Sequence, residues 1–147
     1  MGQTGRCLCG AVRYELSSEI GPLVNCHCRF CRRAHGAAFV TITWVRRDDL
    51  RFVTGEDAMK EFRTAGVGQR CFCEHCGTRL YNRAESNPDF VALVIASLDE
   101  DPTQEPVIHV NVESKAGWYE ILDAKPQFPQ LPPGAERALE SSSREQP

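Results

Sequence analysis

Cys26, Cys28 and Cys31 stand at Cys-x-Cys-x-x-Cys spacing within NCHCRFCRR (25–33). Thiolates this close along a chain can wrap one soft metal ion. Zinc is the first choice, because it takes sulfur in tetrahedral geometry and brings no redox chemistry of its own. Three cysteines fill three of its corners. A fourth protein ligand would make the metal structural, whereas a free corner would admit water or a substrate. The remaining five of the eight cysteines fall as Cys7/Cys9 and Cys71/Cys73/Cys76. Clusters of this kind read as metal ligands, since disulfide frameworks spread their cysteines to close loops.

A Cys-x-Cys pair near the start and a Cys-x-x-Cys knuckle far along the chain together make one four-sulfur site. Cys7, Cys9, Cys73 and Cys76 would hold a structural zinc, with Gly77 tolerating the positive φ of the knuckle turn. Cys26, Cys28 and Cys31 are then left for a second zinc, making two per chain. Spacing leaves Cys71 open. On an extended strand it shares a face with Cys73, and it either caps the second metal or is a spare thiol. His27, His35 and His75 lie in or beside the clusters and are read as neighbours of the metals, not ligands. No Ser-His-Asp set, phosphate loop or paired carboxylate constellation is discernible.

The elements that must carry these cysteines read as strands. After Gly10, Val12, Tyr14 and Leu16 alternate with Ala11, Arg13 and Glu15, the pattern of a half-buried strand. FVTITWV (39–45) is rich in β-branched and aromatic residues and reads as a strand buried on both faces. Residues 50–54, 59–63 and 78–82 predict further strands, and FVALVIAS (90–97) is the most apolar run and belongs in the core. VIHVNV (107–112) alternates, with His109 on its more polar face. Only one helical turn is expected, over 32–36, ended by Gly36. Meanders of this kind predict a mostly β, antiparallel, single-domain fold over residues 1–128. A Pro/Ser-rich tail follows over 129–147, expected to be flexible from Gly134 onward.

With 147 residues, one domain with a real core is the natural reading. A balance of 17 Lys+Arg against 20 Asp+Glu, with no basic block longer than two residues, argues against nucleic acid as a partner. No apolar run approaches the roughly 20 residues of a membrane helix, and the start lacks an apolar leader, so a cytoplasmic protein without membrane contact is expected.

GRCLCGAVRYEL (5–16), CHCRFCRRAHGAAF (26–39), FCEHCGTRLY (72–81) and HVNVESKAGWYEILDAKPQF (109–128) resemble, in that order and spacing, the glutathione-dependent formaldehyde-activating enzyme family, which includes centromere protein V-like proteins. The resemblance implies an Mss4-like zinc-bound β fold. Within it, Cys7, Cys9, Cys73 and Cys76 match the structural zinc, and Cys26, Cys28 and Cys31 match the catalytic one. It also implies a carbon–sulfur lyase activity: the joining of formaldehyde to glutathione, or a related addition of a small thiol to a small aldehyde. Arg29, Arg32, Lys115 and Trp118 are candidate contacts for the thiol substrate, and Gly36 and Ala37 would leave room for it. A non-enzymatic thiol-binding zinc protein and a structural zinc domain for protein contacts are the alternatives. Cys71 departs from the family pattern.

Overall fold

Strand-forming runs dominate the computed structural model, which describes residues 2–135. Among the described residues the strands are β1 (Thr4–Arg6), β2 (Arg13–Leu16), β3 (Leu23–Cys26), β4 (Val40–Arg46), β5 (Leu50–Thr54), β6 (Met59–Thr64), β7 (Gly68–Cys73), β8 (Arg79–Ala84), β9 (Phe90–Val94) and β10 (Pro106–Val110), and α1 (Arg29–His35) is an α-helix. The strands form a three-stranded sheet, β1-β2-β5, and a seven-stranded sheet, β10-β3-β4-β9-β8-β7-β6. The mostly β, single-domain expectation holds. Strands pair antiparallel throughout both sheets except that β10 lies parallel to β3. After β9 the chain passes through a 3-10 turn and the 98–105 loop to the far edge, and enters beside β3 in the same direction.

Period-two alternation decides which face each side chain takes. On β9, Val91 and Leu93 join Tyr14, Leu16, Val45 and Leu80 in the larger core cluster. The opposite face of the same strand sends Val94 and Ala92 toward Ile42, Trp44 and Val110 in a second cluster. Both faces of β4 and β9 are therefore covered, which is why 39–45 and 90–97 read as continuous apolar runs.

Three strands were not legible. β3 hides behind Asn25, which is 5% exposed and accepts a hydrogen bond from Thr41 Oγ1 at 2.7 Å. β1 is only three residues long, and β7 opens on Gly68, a residue type depleted in strands. The strand expected over 107–112 stops at Val110, because Asn111 turns into the left-handed region at φ 58°, a conformation asparagine tolerates better than most residues. α1 begins earlier than expected. The Cys28 sulfur caps it by accepting from Cys31 N at 3.2 Å, and Gly36, at φ 60°, ends it as foreseen.

Residues 126–131 stay tied to the fold: His109 N donates to Pro126 O at 2.9 Å and Leu131 N to Asn111 Oδ1 at 3.2 Å. Of the tail expected over 129–147, residues 136–147 lie outside the described residues. Among the described residues no helix is long and apolar enough to cross a membrane.

Candidate metal centre and adjoining cavity

The cysteines gather into two sulfur groups, Cys7/Cys9/Cys73/Cys76 and Cys26/Cys28/Cys31, with the ligand atoms of each group within 4.8 Å of one another. Four thiolates at ~2.3 Å from a tetrahedral zinc would stand roughly 3.8 Å apart. Cys9 Sγ lies 3.5 Å from Cys7 Sγ and 3.9 Å from Cys73 Sγ, so this donor set fits a metal of that kind. The fold brings in N–H groups that favour charged sulfur. Val12 N donates to Cys7 Sγ at 3.3 Å, Asn111 Nδ2 to Cys26 Sγ at 3.2 Å, and Arg70 Nη1 to Cys31 Sγ at 3.3 Å. Gly77 takes φ 76° in the knuckle turn as expected, though its own N–H goes to Cys73 O at 2.8 Å.

Electrostatics within the trio point the same way. Hydrogen bonds from Cys26 and Cys31 hold the Cys28 thiol down at about 2, while Cys28 pushes the Cys26 thiol up, and Cys26 and Cys28 together push Cys31 up. Three thiolates in one place repel, and a divalent cation is what allows all three to stay charged. Burial works to lower the Arg70 pKa, but the Cys31 and Cys28 sulfurs more than offset it and hold the guanidinium above its ordinary value.

The three sulfurs line a cavity of about 190 Å³. Its floor is one face of the seven-stranded sheet. Trp44 on β4 pairs with Ala92 on β9, Ala92 with Asn82 on β8, and Asn82 with Arg70 on β7, so four paired residues form a row across four strands. Asn82, with its amide oxygen turned toward Arg70, accepts from Nη1 at 3.1 Å. Val110, at the end of β10, and Asn111, just after it, complete the wall beside Cys26.

Cys71 belongs to neither sulfur group. It follows Arg70 on β7 and so points through the opposite face, where it is fully buried beside Tyr81 and Glu61. Burial and the Glu61 charge push its thiol up to about 11. The geometry supports the spare-thiol alternative.

Arg29, Arg32 and Trp118 come together with Arg33, Gly36 and Ala37 around a shallow depression, separate from the cavity that holds the sulfurs. Trp118 is 72% exposed. Arg32 Nη1 donates to Ser114 O at 2.8 Å, and the Lys115 ammonium is taken up by the carbonyls of Ala116 and Tyr119. Lys115 meets Trp118 at a second surface depression and is absent from the cavity lining.

Sequence reasoning missed Arg70, Asn82 and Asn111, because sheet register brings them to the cysteines from far along the chain. His109 does lie on the polar side of β10, but the sequence did not show that it is covered: residues 126–128 pair along the edge of β10, and His109 is 2% exposed, bonded to His27 Nε2 at 2.9 Å and to Asp123 Oδ2 at 3.0 Å. Burial, with the charges of His109, Lys115 and Arg32 beside it, lowers the His27 pKa to about 4.

Comparison with known proteins agrees with this architecture. Residues 2–114 match the family described as glutathione-dependent formaldehyde-activating enzyme. A Podospora anserina protein named for that family is 30% identical over 86% of this chain, which spans 53% of that relative's length. A Halomonas elongata protein of the same name is 28% identical over 80% of this chain and 79% of its own. A Rhodobacter sphaeroides protein of known crystal structure shares the fold, with TM-score 0.59 and 24% identity over 84% of this chain and 98% of that one. With a match covering most of its length and the two cysteine groups assembled as described, the chain belongs to the glutathione-dependent formaldehyde-activating enzyme family.

Proposed function

We infer that Cys26, Cys28 and Cys31 hold a zinc ion with one free corner. On this reading the protein joins a small thiol of the glutathione kind to formaldehyde or another small aldehyde, or splits such an adduct, as a carbon–sulfur lyase does. The observation that carries this is the difference in sulfur count: one group has four sulfurs, whereas the other has three and lines a cavity. Bound there, zinc would supply either a lowered pKa for an incoming thiol or polarisation of the aldehyde oxygen.

The protein's own groups do the rest. Arg70 and Asn111 donate to the Cys31 and Cys26 sulfurs and favour their charged form. Arg70 also lines the cavity, placing a cation where a carbonyl oxygen gains charge as thiolate attacks its carbon. The carbon–sulfur bond forms, the carbonyl π pair settles on oxygen, and that oxygen takes up a proton in place of the one the thiol gave up. Among the described residues no carboxylate or histidine lines the cavity, so water at its mouth carries the proton. Arg29, Arg32 and Trp118 form an outer basic and aromatic patch suited to the carboxylates of a peptide thiol, with Lys115 beside it.

Zinc content with zinc-edge absorption spectroscopy, recorded with and without glutathione, tests the reading. Two zincs are expected, one with four sulfurs and one with three plus a light atom that thiol replaces. NMR exchange between free aldehyde and adduct should also accelerate with the protein present. Two closed four-sulfur metals, or an unchanged exchange rate, would sink it.

A further inference from the structure

We propose that the aldehyde partner of this protein carries an apolar group of about six carbon atoms, seated on the cavity floor beside Cys26, Cys28 and Cys31; this rests on the reaction inferred above. The cavity, about 190 Å³, is larger than the roughly 150 Å³ that encloses a benzene ring. Formaldehyde, with a single carbon, would leave almost all of it unused. The walls are the wrong chemistry for the thiol's peptide part. Ile42, Trp44, Phe90, Ala92 and Val110 contribute hydrocarbon. The polar residues Gln69, Asn82, Ser86, Asn87 and Asn111 are uncharged, and Asn82 and Asn111 are already bonded to Arg70 and the Cys26 sulfur. Of the two charged residues at the cavity, Arg70 faces the Cys31 sulfur, whereas the Arg83 guanidinium is ion-paired to Glu61 on the opposite face of the sheet.

A free tripeptide thiol carries two carboxylates and an ammonium, and burying three charges against mostly apolar walls with so few charged partners is costly. The peptide part therefore stays outside while its sulfur reaches in, and the floor receives the substituent of the carbonyl carbon. The rim agrees: Val67 and Leu131 line the cavity edge and remain 40% and 37% exposed, an apolar lip that a hydrocarbon chain would cover. The reaction balances as before. The thiol's sulfur bonds the carbonyl carbon, the π pair goes to oxygen, and one proton moves from sulfur to oxygen, giving a hemithioacetal with no oxidant or reductant.

Trp44 lies in the lining, and the other of the two tryptophans, Trp118, lies outside it. In a Trp118→Phe background, Trp44 fluorescence of the zinc-loaded protein reports cavity occupancy by straight-chain alcohols, which cannot react. Affinity should rise roughly 3- to 4-fold per added methylene from propanol to hexanol and then level off. With the wild-type protein, adduct formation by hexanal and glutathione should be accelerated over its uncatalysed rate by a larger factor than that by formaldehyde. Both effects should shrink at least 10-fold in Ala92→Leu, which fills the floor, with two zincs still bound as the check on folding. If formaldehyde exchange is accelerated but alcohol affinity shows no dependence on chain length, the inference is overturned and the proposed reaction stands. If hexanol binds but no aldehyde exchanges faster, the reaction is wrong and the aldehyde assignment falls with it.

Discussion

Arg70 and Cys71 are adjacent in sequence and point through opposite faces of one strand, so they make opposite predictions. Arg70 lies on the cavity side, donating to the Cys31 sulfur at 3.3 Å. Arg70→Gln keeps a polar group but removes the charge, and aldehyde exchange should slow by about 10²-fold while the four-sulfur metal stays bound. Exchange rates measured alongside zinc content check this; an unchanged rate would remove Arg70 from the reacting centre. Cys71 is buried on the far side with its thiol raised to about 11. Cys71→Ala should leave two zincs bound and both zinc-edge spectra unaltered. The loss of a small buried side chain should cost only about 1 kcal/mol of stability by denaturant titration. Loss of one equivalent of zinc would make Cys71 a ligand after all.

At the scale of the element, α1 is short, capped at one end by a sulfur and at the other by Gly36, and docked by Arg79 Nε donating to Ala34 O at 3.3 Å. His35 in its last turn has its pKa lowered to about 4 by burial and by the Arg70 and Arg79 charges. The ordinary value is near 6.5. As pH falls below 6.5 the unfolded chain takes a proton that the folded chain refuses until about 4, so the fold loses stability across that window and no further below it. Denaturant midpoints at pH 7 and pH 5 for the wild type and His35→Asn should show a smaller acid loss in the variant. Metal release in acid is common to both proteins and cancels in the difference. Equal losses would mean that His35 takes up its proton as readily in the fold as in the unfolded chain.

For the whole molecule, the four-sulfur group is the tie that matters. It joins the turn before β2 to the β7–β8 knuckle, contacts separated by more than sixty residues of chain, as between Cys9 and Cys73. Around it lies the larger core cluster, which includes Cys7 and Cys73 themselves. Closing so long a loop carries a large entropy cost that metal binding offsets. A strong chelator should therefore empty the three-sulfur group first, with the fold intact by circular dichroism, and unfold the protein only as the second metal leaves. A fold that survives removal of both metals would show that the apolar core alone suffices.

The sequence by itself determined the local chemistry: which cysteines cluster, that the chain is mostly β, that Gly36 ends the helix, and that FVALVIAS (90–97) lies in the core. These are short-range properties of residue type and period, and they carry through to the structure. Only the tertiary structure decided what surrounds the three-sulfur group. Trp44, Ala92, Asn82 and Arg70 become neighbours through strand order and register, and nothing in their own segments records that order. Burial of His109 likewise depends on a segment beginning at Asp123 that folds back over β10. The side of the sheet taken by Cys71 turns on a register that the sequence could not supply, because a shift of one residue in a strand reverses every face.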